Sequence, residues 1–251
     1  MRLTATLLAL AAASFFPAAA QVWDTSGNLK LSGKYYFREV IFTSTDSIAL
    51  YGGMSFGGDG TYTINAAGLD CNQSCSGPSP FTVSGTYSIS SSGYGFLSHP
   101  ISQQDSIYGL VGANGVFIGS STESGANDLF IAAPIGSQAV STLNGSYSLA
   151  YLTTYSDLTQ TPVDAMLQMS SNGAGTIGTV NLSAYIDSPT PTTQSISGVK
   201  YIVSNNAFVV TFPNSNSNLL TGQEYLYSTP DGSFVFGGSP LDFDMFVGVR
   251  K

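Results

Sequence analysis

The chain contains one pattern of residues twice, and this internal repeat constrains the fold more than any other feature. The motif Leu-x-Gly-x-Tyr at 31–35 recurs about 112 residues later, at 143–147. Further segments match in the same order: SFGGDGTYTI with QMSSNGAGTIG, VSGTYSISSSGYGF with ISGVKYIVSNNAFV, GANGVFIGSS with TPDGSFVFGGS, and DLFIAAP with DMFVGVR. Matches that keep their order along the chain indicate a duplicated structural unit.

This duplication sets the predicted domain organisation. Repeat 1 spans 31–135 and repeat 2 spans 143–251, and the short polar linker 136–142 joins them. A further N-terminal segment, 21–30, precedes repeat 1.

Within each repeat, apolar and polar residues alternate with a period of two. FTVSGTYSIS is the clearest case, because Phe81, Val83, Tyr87 and Ile89 alternate with Thr and Ser. This alternation is typical of a β-strand that is buried on one face. The residues predicted to face the core at the start of the two repeats are Leu31, Gly33, Tyr35 and Phe37, and then Leu143, Gly145, Tyr147 and Leu149.

The segments between these strands have the composition of tight turns. Repeat 1 contains GGDG, SSSG and ANG, and repeat 2 contains SNGAG, SNN and PDG at equivalent places. Asn-Gly and Asp-Gly tolerate the positive φ of hairpin turns. We therefore predict an all-β protein of two antiparallel up-and-down meanders, each with about seven or eight short strands. A barrel is favoured because it removes the sheet edges; a sandwich and one larger barrel built from both repeats stay open.

The opening motif resembles the Gly-x-Trp strand of lipocalins and other calycin barrels, with Tyr35 and Tyr147 where those families have Trp. The single tryptophan, Trp23, lies outside the repeat. More broadly, the chain is similar to uncharacterised tandem β modules of secreted bacterial surface proteins. Both resemblances imply a β-barrel or β-module fold, and neither implies a functional residue.

Composition excludes several classes of partner. The formal net charge is −8, from 7 basic and 15 acidic residues, which argues against nucleic acid and anionic membrane surfaces. Only 9% of the residues are charged and 43% are hydrophobic, so the surface must consist largely of Ser, Thr, Asn, Gln and Gly. No later segment resembles a transmembrane helix.

The first 20 residues have the features of a signal peptide. Arg2 precedes the apolar run LLALAAASFF, and small residues at Ala18 and Ala20 predict cleavage before Gln21. We therefore expect an exported protein, secreted to the extracellular space or the periplasm. In such an oxidising compartment, Cys71 and Cys75 are expected to form a local disulfide.

The chain contains few residues that point to catalysis. His99 is the single histidine and is expected at the end of a strand or in a loop, and no nucleophile elbow, zinc motif or phosphate-binding loop is present. Asp242 and Asp244 share one face of a strand, where we expect outward, solvated charges at a sheet edge; a glycosidase-like pair or a cation or sugar contact is the alternative. We predict no enzyme activity, no cofactor and no metal.

Two charged residues break the alternation and are the candidate ligand-binding positions. Glu39 lies on the apolar face of its strand, where repeat 2 has Tyr151, which is the third candidate ligand-binding residue. Lys200 aligns with the inward Tyr87. If each repeat closes into a barrel, these side chains point into its interior and contact a ligand; a β-bulge or a position near the barrel mouth is the other explanation.

The predicted function is therefore a secreted, non-catalytic β-repeat protein with a role in extracellular binding, adhesion or surface structure. Its partner is an unknown small molecule, glycan or surface protein. The alternatives are a lipocalin-like carrier of a small apolar ligand, a carboxylate-dependent hydrolase and an outer-membrane barrel.

Overall fold

The structure is a computed structural model. It describes residues 23–72, 74–75, 77–121, 125–154, 163–186, 189–215 and 219–251, without the side chains of 71–76 and 154. The predicted signal peptide, 1–20, lies outside the described residues, so export stays a prediction. In the part of the chain that the structure describes, no helix has the length and hydropathy needed to cross a membrane.

Repeat 1 forms a closed antiparallel barrel of eight strands, barrel 1. Its strands, with the short β4 added, are β1 (Ser32–Thr43), β2 (Asp46–Gly57), β3 (Thr61–Asn72), β4 (Ser74–Cys75), β5 (Ser79–Ile89), β6 (Tyr94–Ser98), β7 (Ser106–Val111), β8 (Phe117–Ser121) and β9 (Ala126–Pro134). Neighbours follow the order β2-β1-β9-β8-β7-β6-β5-β3, and β3 pairs with β2 to close the ring. Strand β4 pairs with the end of β3.

Repeat 2 forms a second closed barrel, barrel 2. Its strands are β10 (Asn144–Thr154), β11 (Val163–Asn172), β12 (Thr176–Ile186), β13 (Thr192–Ser204), β14 (Ala207–Phe212), β15 (Gly222–Ser228), β16 (Phe234–Gly238) and β17 (Phe243–Arg250). They pair in chain order, and β17 pairs with β10. The prediction of two tandem antiparallel barrels is confirmed. Strands β1, β2 and β3 have 12 residues each, so they are longer than the short strands predicted.

A short 3-10 helix packs against one end of each barrel, and a buried tyrosine holds it there. In barrel 1 the helix is Asn28–Lys30, and the hydroxyl of Tyr87 donates to the carbonyl oxygen of Leu31, 2.7 Å away. In barrel 2 the helix is Val140–Thr142. There the hydroxyl of Tyr201 donates to the carbonyl oxygen of Leu143 at 2.9 Å. Tyr87 and Tyr201 are therefore structural equivalents.

The residues shared by the two opening motifs have different roles. Leu31, Tyr35, Leu143 and Tyr147 are at most 2% exposed, which confirms that they face the core. The shared glycine does not pack there: Gly33 is exposed and has a φ of 92°. Its role is conformational, because L-residues rarely adopt a positive φ.

The interior of barrel 1 is a packed core. Its aromatic side chains are at most 3% exposed, and they are Tyr35, Phe37, Phe56, Tyr62, Tyr87, Phe117 and Phe130. A row of glycines makes room for these rings, since Gly95, Gly109 and Gly119 lie opposite one another on β6, β7 and β8. A Cβ atom on Gly109 would lie 2.6 Å from Cζ of Phe117.

The two barrels dock through two different outer walls. Wall A is the outward face of β9, β1 and β2 in barrel 1, and wall B is the outward face of β14, β15 and β16 in barrel 2. The apolar side chains buried in this region are Val40, Ala49, Ile131 and Ala133 of wall A, Ala207, Tyr227, Phe234 and Phe236 of wall B, and the adjacent Leu69, Val116, Phe243 and Met245. Tyr36 of wall A stacks on Tyr227, with ring centroids 4.2 Å apart. Because the two surfaces differ, the contact is heterologous, or head-to-tail.

Replacing Gly109 by Ala tests the packing of barrel 1. We expect Gly109→Ala to lower the free energy of unfolding by ~1–3 kcal/mol, because the new methyl group overlaps both the backbone carbonyl oxygen of Ile118 and the Phe117 ring. Urea unfolding measures the effect. Gly77→Ala is the control, since a Cβ at Gly77 meets no atom within 4 Å. Equal stability of the two variants would contradict this packing.

Candidate functional site

Glu39 lies in the interior of barrel 1. On β1 it follows Tyr35 and Phe37 on the inward face, and it lies opposite Leu50 of β2 and Phe130 of β9. Its side chain is 0% exposed, and neither carboxylate oxygen has a hydrogen-bond partner among the described residues. Burial of an unpaired carboxylate is costly, so Glu39 needs an explanation beyond simple core packing.

His99 faces Glu39 from the loop after β6, the position that the sequence predicts for it. Its Nδ1 accepts the backbone N–H groups of Ile101 at 3.2 Å and Ser102 at 3.3 Å, so this nitrogen carries no proton in the neutral ring. The proton of the neutral ring is therefore on Nε2, which lies 3.4 Å from Oε1 of Glu39. The loop thus fixes the tautomer and points an N–H group at the carboxyl group.

Asp128 is the third member of this cluster. One oxygen or nitrogen atom from each of Glu39, His99 and Asp128 lies within 4.8 Å of the others. Asp128 accepts the backbone N–H of Ser121 at 2.7 Å and the Ser121 hydroxyl at 2.9 Å. Barrel 2 repeats this contact, because the N–H of Ser239 donates to Asp244 at 2.8 Å. Asp128 and Asp244 lie at equivalent positions of the two barrels, and each accepts the backbone N–H of a serine in the preceding part of the chain.

The three residues do not fit a metal ion in this arrangement. A histidine ligand uses a nitrogen without a proton, and its other nitrogen then donates a hydrogen bond. At His99, Nδ1 faces two N–H donors, so it cannot carry the proton that metal binding through Nε2 requires. The geometry fits a neutral histidine whose Nε2 faces Oε1 of Glu39 at 3.4 Å.

Burial controls the protonation of both partners. It raises the pKa of the Glu39 carboxyl well above its usual value, and the charge of Asp128 raises it further. Burial also lowers the pKa of His99, while the charges of Asp128 and Asp105 oppose this shift. Both effects favour the uncharged forms, which allows the pair to lie in an apolar interior without a counter-ion.

Arg38, the residue before Glu39, points outward from wall A and enters the end of barrel 2. Its Nη2 lies 2.7 Å from Oδ1 of Asp244. It also donates to the carbonyl oxygens of Asp244 at 2.7 Å, Ser239 at 3.0 Å and Asp242 at 3.1 Å. Gly238 leaves the required space, because a Cβ there would lie 2.5 Å from Cζ of Arg38. Arg38 therefore connects the two barrels through a buried charge that is hydrogen-bonded through Nε and Nη2.

Two acidic side chains of barrel 2, Asp244 and Glu224, interact with the Arg38 guanidinium. Burial raises the pKa of Glu224 well above its usual value, and the charge of Asp244 adds to the shift. Burial also raises the pKa of Asp244, although Arg38 opposes it. The Arg38 guanidinium favours the charged form of both carboxyl groups and so partly opposes the effect of burial on their pKa values.

Tyr151 occupies in barrel 2 the place that Glu39 has in barrel 1. It lies opposite Phe246 on β17, with ring centroids 4.3 Å apart. Burial raises the pKa of the Tyr151 hydroxyl, and the charges of Asp244 and Glu224 add to this. The two predicted positions therefore lie in separate interiors, and each faces a different set of polar groups.

The interior position predicted for Lys200 is wrong. Lys200 is exposed on β13, and the inward residue equivalent to Tyr87 is its neighbour Tyr201. Repeat 2 has one more residue than repeat 1 between the glycine of this strand and the tyrosine. Gly198 has a φ of 79°, and the pairing of β12 with β13 is irregular beside it. A β-bulge therefore absorbs the extra residue.

The expectation for Asp242 and Asp244 is wrong as well. Asp242 is exposed, as expected, but it lies in the turn before β17. Asp244 is 1% exposed and bound to Arg38. Strand β17 pairs on both sides, with β16 and β10, so no sheet edge exists there.

The backbone of Cys71 lies opposite that of Cys75 in the pairing of β3 with β4. The side chains of both residues lie outside the description, so their disulfide stays a prediction.

An exposed aromatic groove lies on the outer wall of barrel 1, on strands β6, β7 and β8. The groove has a volume of about 610 Å³. Trp23 packs edge-on against Phe96, with ring centroids 4.5 Å apart. The large apolar side chains in it, with their exposed fractions, are Trp23 (44%), Tyr94 (66%), Tyr108 (46%), Leu110 (43%) and Ile118 (40%).

Sequence reasoning missed Arg38, Glu224 and this groove. A signal for Arg38 is present in YYFREVIF, where both faces of the strand are apolar except for one charge on each. Such a strand is covered on both sides. The sequence does not show which element covers its outer face.

Comparison with known proteins gives no family. No family model and no curated protein matches the chain. A solved structure of a DUF3598-family protein of unknown function from Nostoc punctiforme is 12% identical, with a TM-score of 0.25, over 89% of this chain and 97% of that one. Transferrin binding protein B from Neisseria meningitidis is 7% identical, with a TM-score of 0.24, over 88% of this chain and 77% of that one.

Breaking the Arg38 ion pair tests the connection between the barrels. We expect Arg38→Met to lower the free energy of unfolding by ~3–5 kcal/mol, because it leaves the buried Asp244 carboxylate without its cation. The double variant Arg38→Met, Asp244→Asn should recover most of this loss, since the amide oxygen still accepts the N–H of Ser239. Urea unfolding measures both. A loss below about 1 kcal/mol for the single variant is what an exposed pair would give, and would contradict the burial described here.

The protonation of Glu39 predicts a pH-dependent stability difference. A carboxyl group with a raised folded-state pKa stabilises the fold fully below its unfolded pKa, near 4.5, and this contribution is lost as the pH rises through the folded-state value. We therefore expect Glu39→Gln, which does not titrate, to gain stability relative to the original chain between pH 5 and pH 8. Urea unfolding at both pH values measures it. A difference that does not change with pH would show that Glu39 has an ordinary pKa.

Proposed function

We propose that the protein is exported and non-catalytic, and that it functions by binding a macromolecule through the outer wall of barrel 1. The observation that carries this proposal is the exposed aromatic groove on β6, β7 and β8, with its volume of about 610 Å³. Large contiguous apolar patches on a protein surface mark interaction sites. Aromatic side chains are enriched at such sites because they bury a large area with few rotatable bonds.

The packed interiors of the two barrels support the proposal that the ligand binds to the outer wall of barrel 1. A carrier of a small apolar ligand needs an internal cavity that encloses most of that ligand. In barrel 1 the corresponding space is filled by aromatic side chains, with Phe37, Phe117 and Phe130 each 0% exposed. In barrel 2 the interior is likewise occupied by buried apolar side chains.

The positions of the carboxyl groups support a non-catalytic role. A glycosidase needs two carboxyl groups beside an accessible substrate. Asp244 is buried against Arg38, and Glu39 is buried against His99. Neither group lies in the exposed groove. The signal-peptide pattern of 1–20 and the predicted Cys71–Cys75 disulfide fit an exported protein.

The single tryptophan provides a direct test. Trp23 lies in the groove and is 44% exposed, so an occupant should change its fluorescence. We expect a shift of its emission on titration with one of three macromolecular probes: a neutral polysaccharide (dextran), a Phe- and Leu-rich peptide, or the purified chain itself at increasing concentration. Tyr108→Ser should weaken the response at least tenfold, and Ile101→Ser, an exposed apolar residue outside the groove, should not.

Three results would overturn the proposal. The first is no fluorescence response to any of the probes. The second is a small molecule that remains bound to the natively purified protein in mass spectrometry, which would indicate a carrier. The third is turnover of a secreted polymer that Asp244→Asn abolishes, which would indicate a hydrolase.

A further inference from the structure

Each barrel has its own copy of wall A and wall B, because both barrels have the same strand order. In barrel 2, wall A is the outward face of β17, β10 and β11; in barrel 1, wall B is the outward face of β6, β7 and β8. Docking within the chain uses wall A of barrel 1 and wall B of barrel 2. Wall B of barrel 1 is therefore free, and wall A of barrel 2 is free over β10 and β11, whereas Phe243 and Met245 of β17 already pack on barrel 1.

The free wall B has apolar residues at the positions that are buried in its docked counterpart. The equivalence of Tyr87 and Tyr201, which lie opposite Leu97 and Val210, sets the alignment. The matched residues, first in barrel 1 and then in barrel 2, are Tyr94 and Ala207, Phe96 and Val209, Tyr108 and Tyr225, Leu110 and Tyr227, and Ile118 and Phe236. Ala207, Tyr225, Tyr227 and Phe236 of barrel 2 pack on barrel 1, and Val209 lines a pocket together with Tyr36 and Tyr51 of barrel 1. The matched residues of barrel 1 form the exposed groove.

The free wall A shows this correspondence at three positions, whereas the exposed Asp164 takes the place of the buried Ala49. The pairings of β1 with β2 and β9, compared with those of β10 with β11 and β17, match Val40, Tyr51 and Ile131 with Leu152, Met166 and Val247. Leu152, Met166 and Val247 line a groove of about 360 Å³, which Asp164 and, from barrel 1, Leu129 also line. Met166 is 53% exposed.

Apolar residues are not general on the outside of these barrels. On β3 and β5 of barrel 1 the outward residues are exposed and polar, and they are Thr61, Thr63, Asn65, Thr82, Ser84 and Thr86. This is the ordinary pattern for the solvated face of an antiparallel sheet. The clustered outward apolar residues of the free walls therefore match those of the walls that already dock.

We propose that the free wall A of one chain docks on the free wall B of a second copy of this chain, in the head-to-tail manner that joins the two barrels within the chain. This inference rests on the proposed function and names the partner of the same groove. Through a heterologous contact each chain binds the next one, which gives either a closed ring or an open linear assembly. The assembly is therefore a ring or a string of chains.

The contact between chains lacks the central ion pair. Ala150 of the free wall A takes the place of Arg38, and Ser120 of the free wall B takes the place of Gly238. The two differences fit each other, because the space that Gly238 leaves is needed only where an arginine enters. The contact between chains is apolar and weaker than the one within the chain, so it is reversible and depends on concentration.

Sedimentation velocity of the purified chain and two surface variants tests the proposal. Tyr108→Ser changes the free wall B, Met166→Ser changes the free wall A, and Ile101→Ser is a matched control outside both walls. We expect the original chain and the control to form dimers and larger species as concentration rises from about 1 to several hundred micromolar, a range typical of weak interfaces. Each wall variant should associate at least tenfold more weakly.

The decisive sample is an equimolar mixture of the two wall variants. One variant retains an intact wall A and the other an intact wall B, so the mixture should form a one-to-one dimer although each variant alone is a monomer. A monomeric mixture, a monomeric original chain, or unchanged association of the wall variants would overturn the proposal. If self-association fails but Trp23 still responds to dextran or the peptide, the proposed function stands and only the partner is wrong.

Discussion

The arrangement of the two barrels depends on the buried Arg38 guanidinium. Its Nη2 lies 2.7 Å from the Asp244 carboxylate, and Gly238 leaves the space that it occupies. A buried charge is tolerated only when it is paired and hydrogen-bonded, and the carbonyl oxygens of Asp244, Ser239 and Asp242 are further acceptors for this guanidinium. The ion pair adds specificity to a largely apolar contact, as do the hydrogen bonds of the Tyr36 and Tyr51 hydroxyls to carbonyl oxygens of barrel 2, because each is made in one relative orientation of the barrels.

Duplication explains what the barrels share, and divergence explains how they differ. In both barrels a buried tyrosine hydroxyl is hydrogen-bonded beside the 3-10 helix. In both, an aspartate at the equivalent position accepts the backbone N–H of a serine. At the end of the first strand they differ. Barrel 1 has Glu39 beside a neutral histidine, whereas barrel 2 has Tyr151 beside the carboxyl pair that receives Arg38.

Much of the fold could be predicted from sequence, because alternation and turn residues act locally. The alternation placed Tyr35 and Tyr147 in the core, and the repeat predicted two barrels. The prediction for Lys200 is wrong because one additional residue in β13 exchanges the inward and outward faces of the strand. The sequence alignment does not show the β-bulge that contains this residue. Asp244 was misplaced because its partner Arg38 lies in the other repeat, 206 residues away. The local sequence of β1 indicates that both of its faces are covered, but it does not indicate which distant element covers the outer face.

The central claim is that one pair of walls joins barrels both within and between chains, and a cross-linking measurement tests it most directly. Within the chain, Tyr36 stacks on Tyr227 at 4.2 Å, and their counterparts on the free walls are Ser148 and Leu110. A chain with Cys71 and Cys75 changed to Ser and with Ser148→Cys and Leu110→Cys should form disulfide-linked dimers, trimers and larger species on mild oxidation. Each chain with one of these two cysteines should form no such ladder. A double-cysteine chain that stays monomeric under these conditions would contradict the claim.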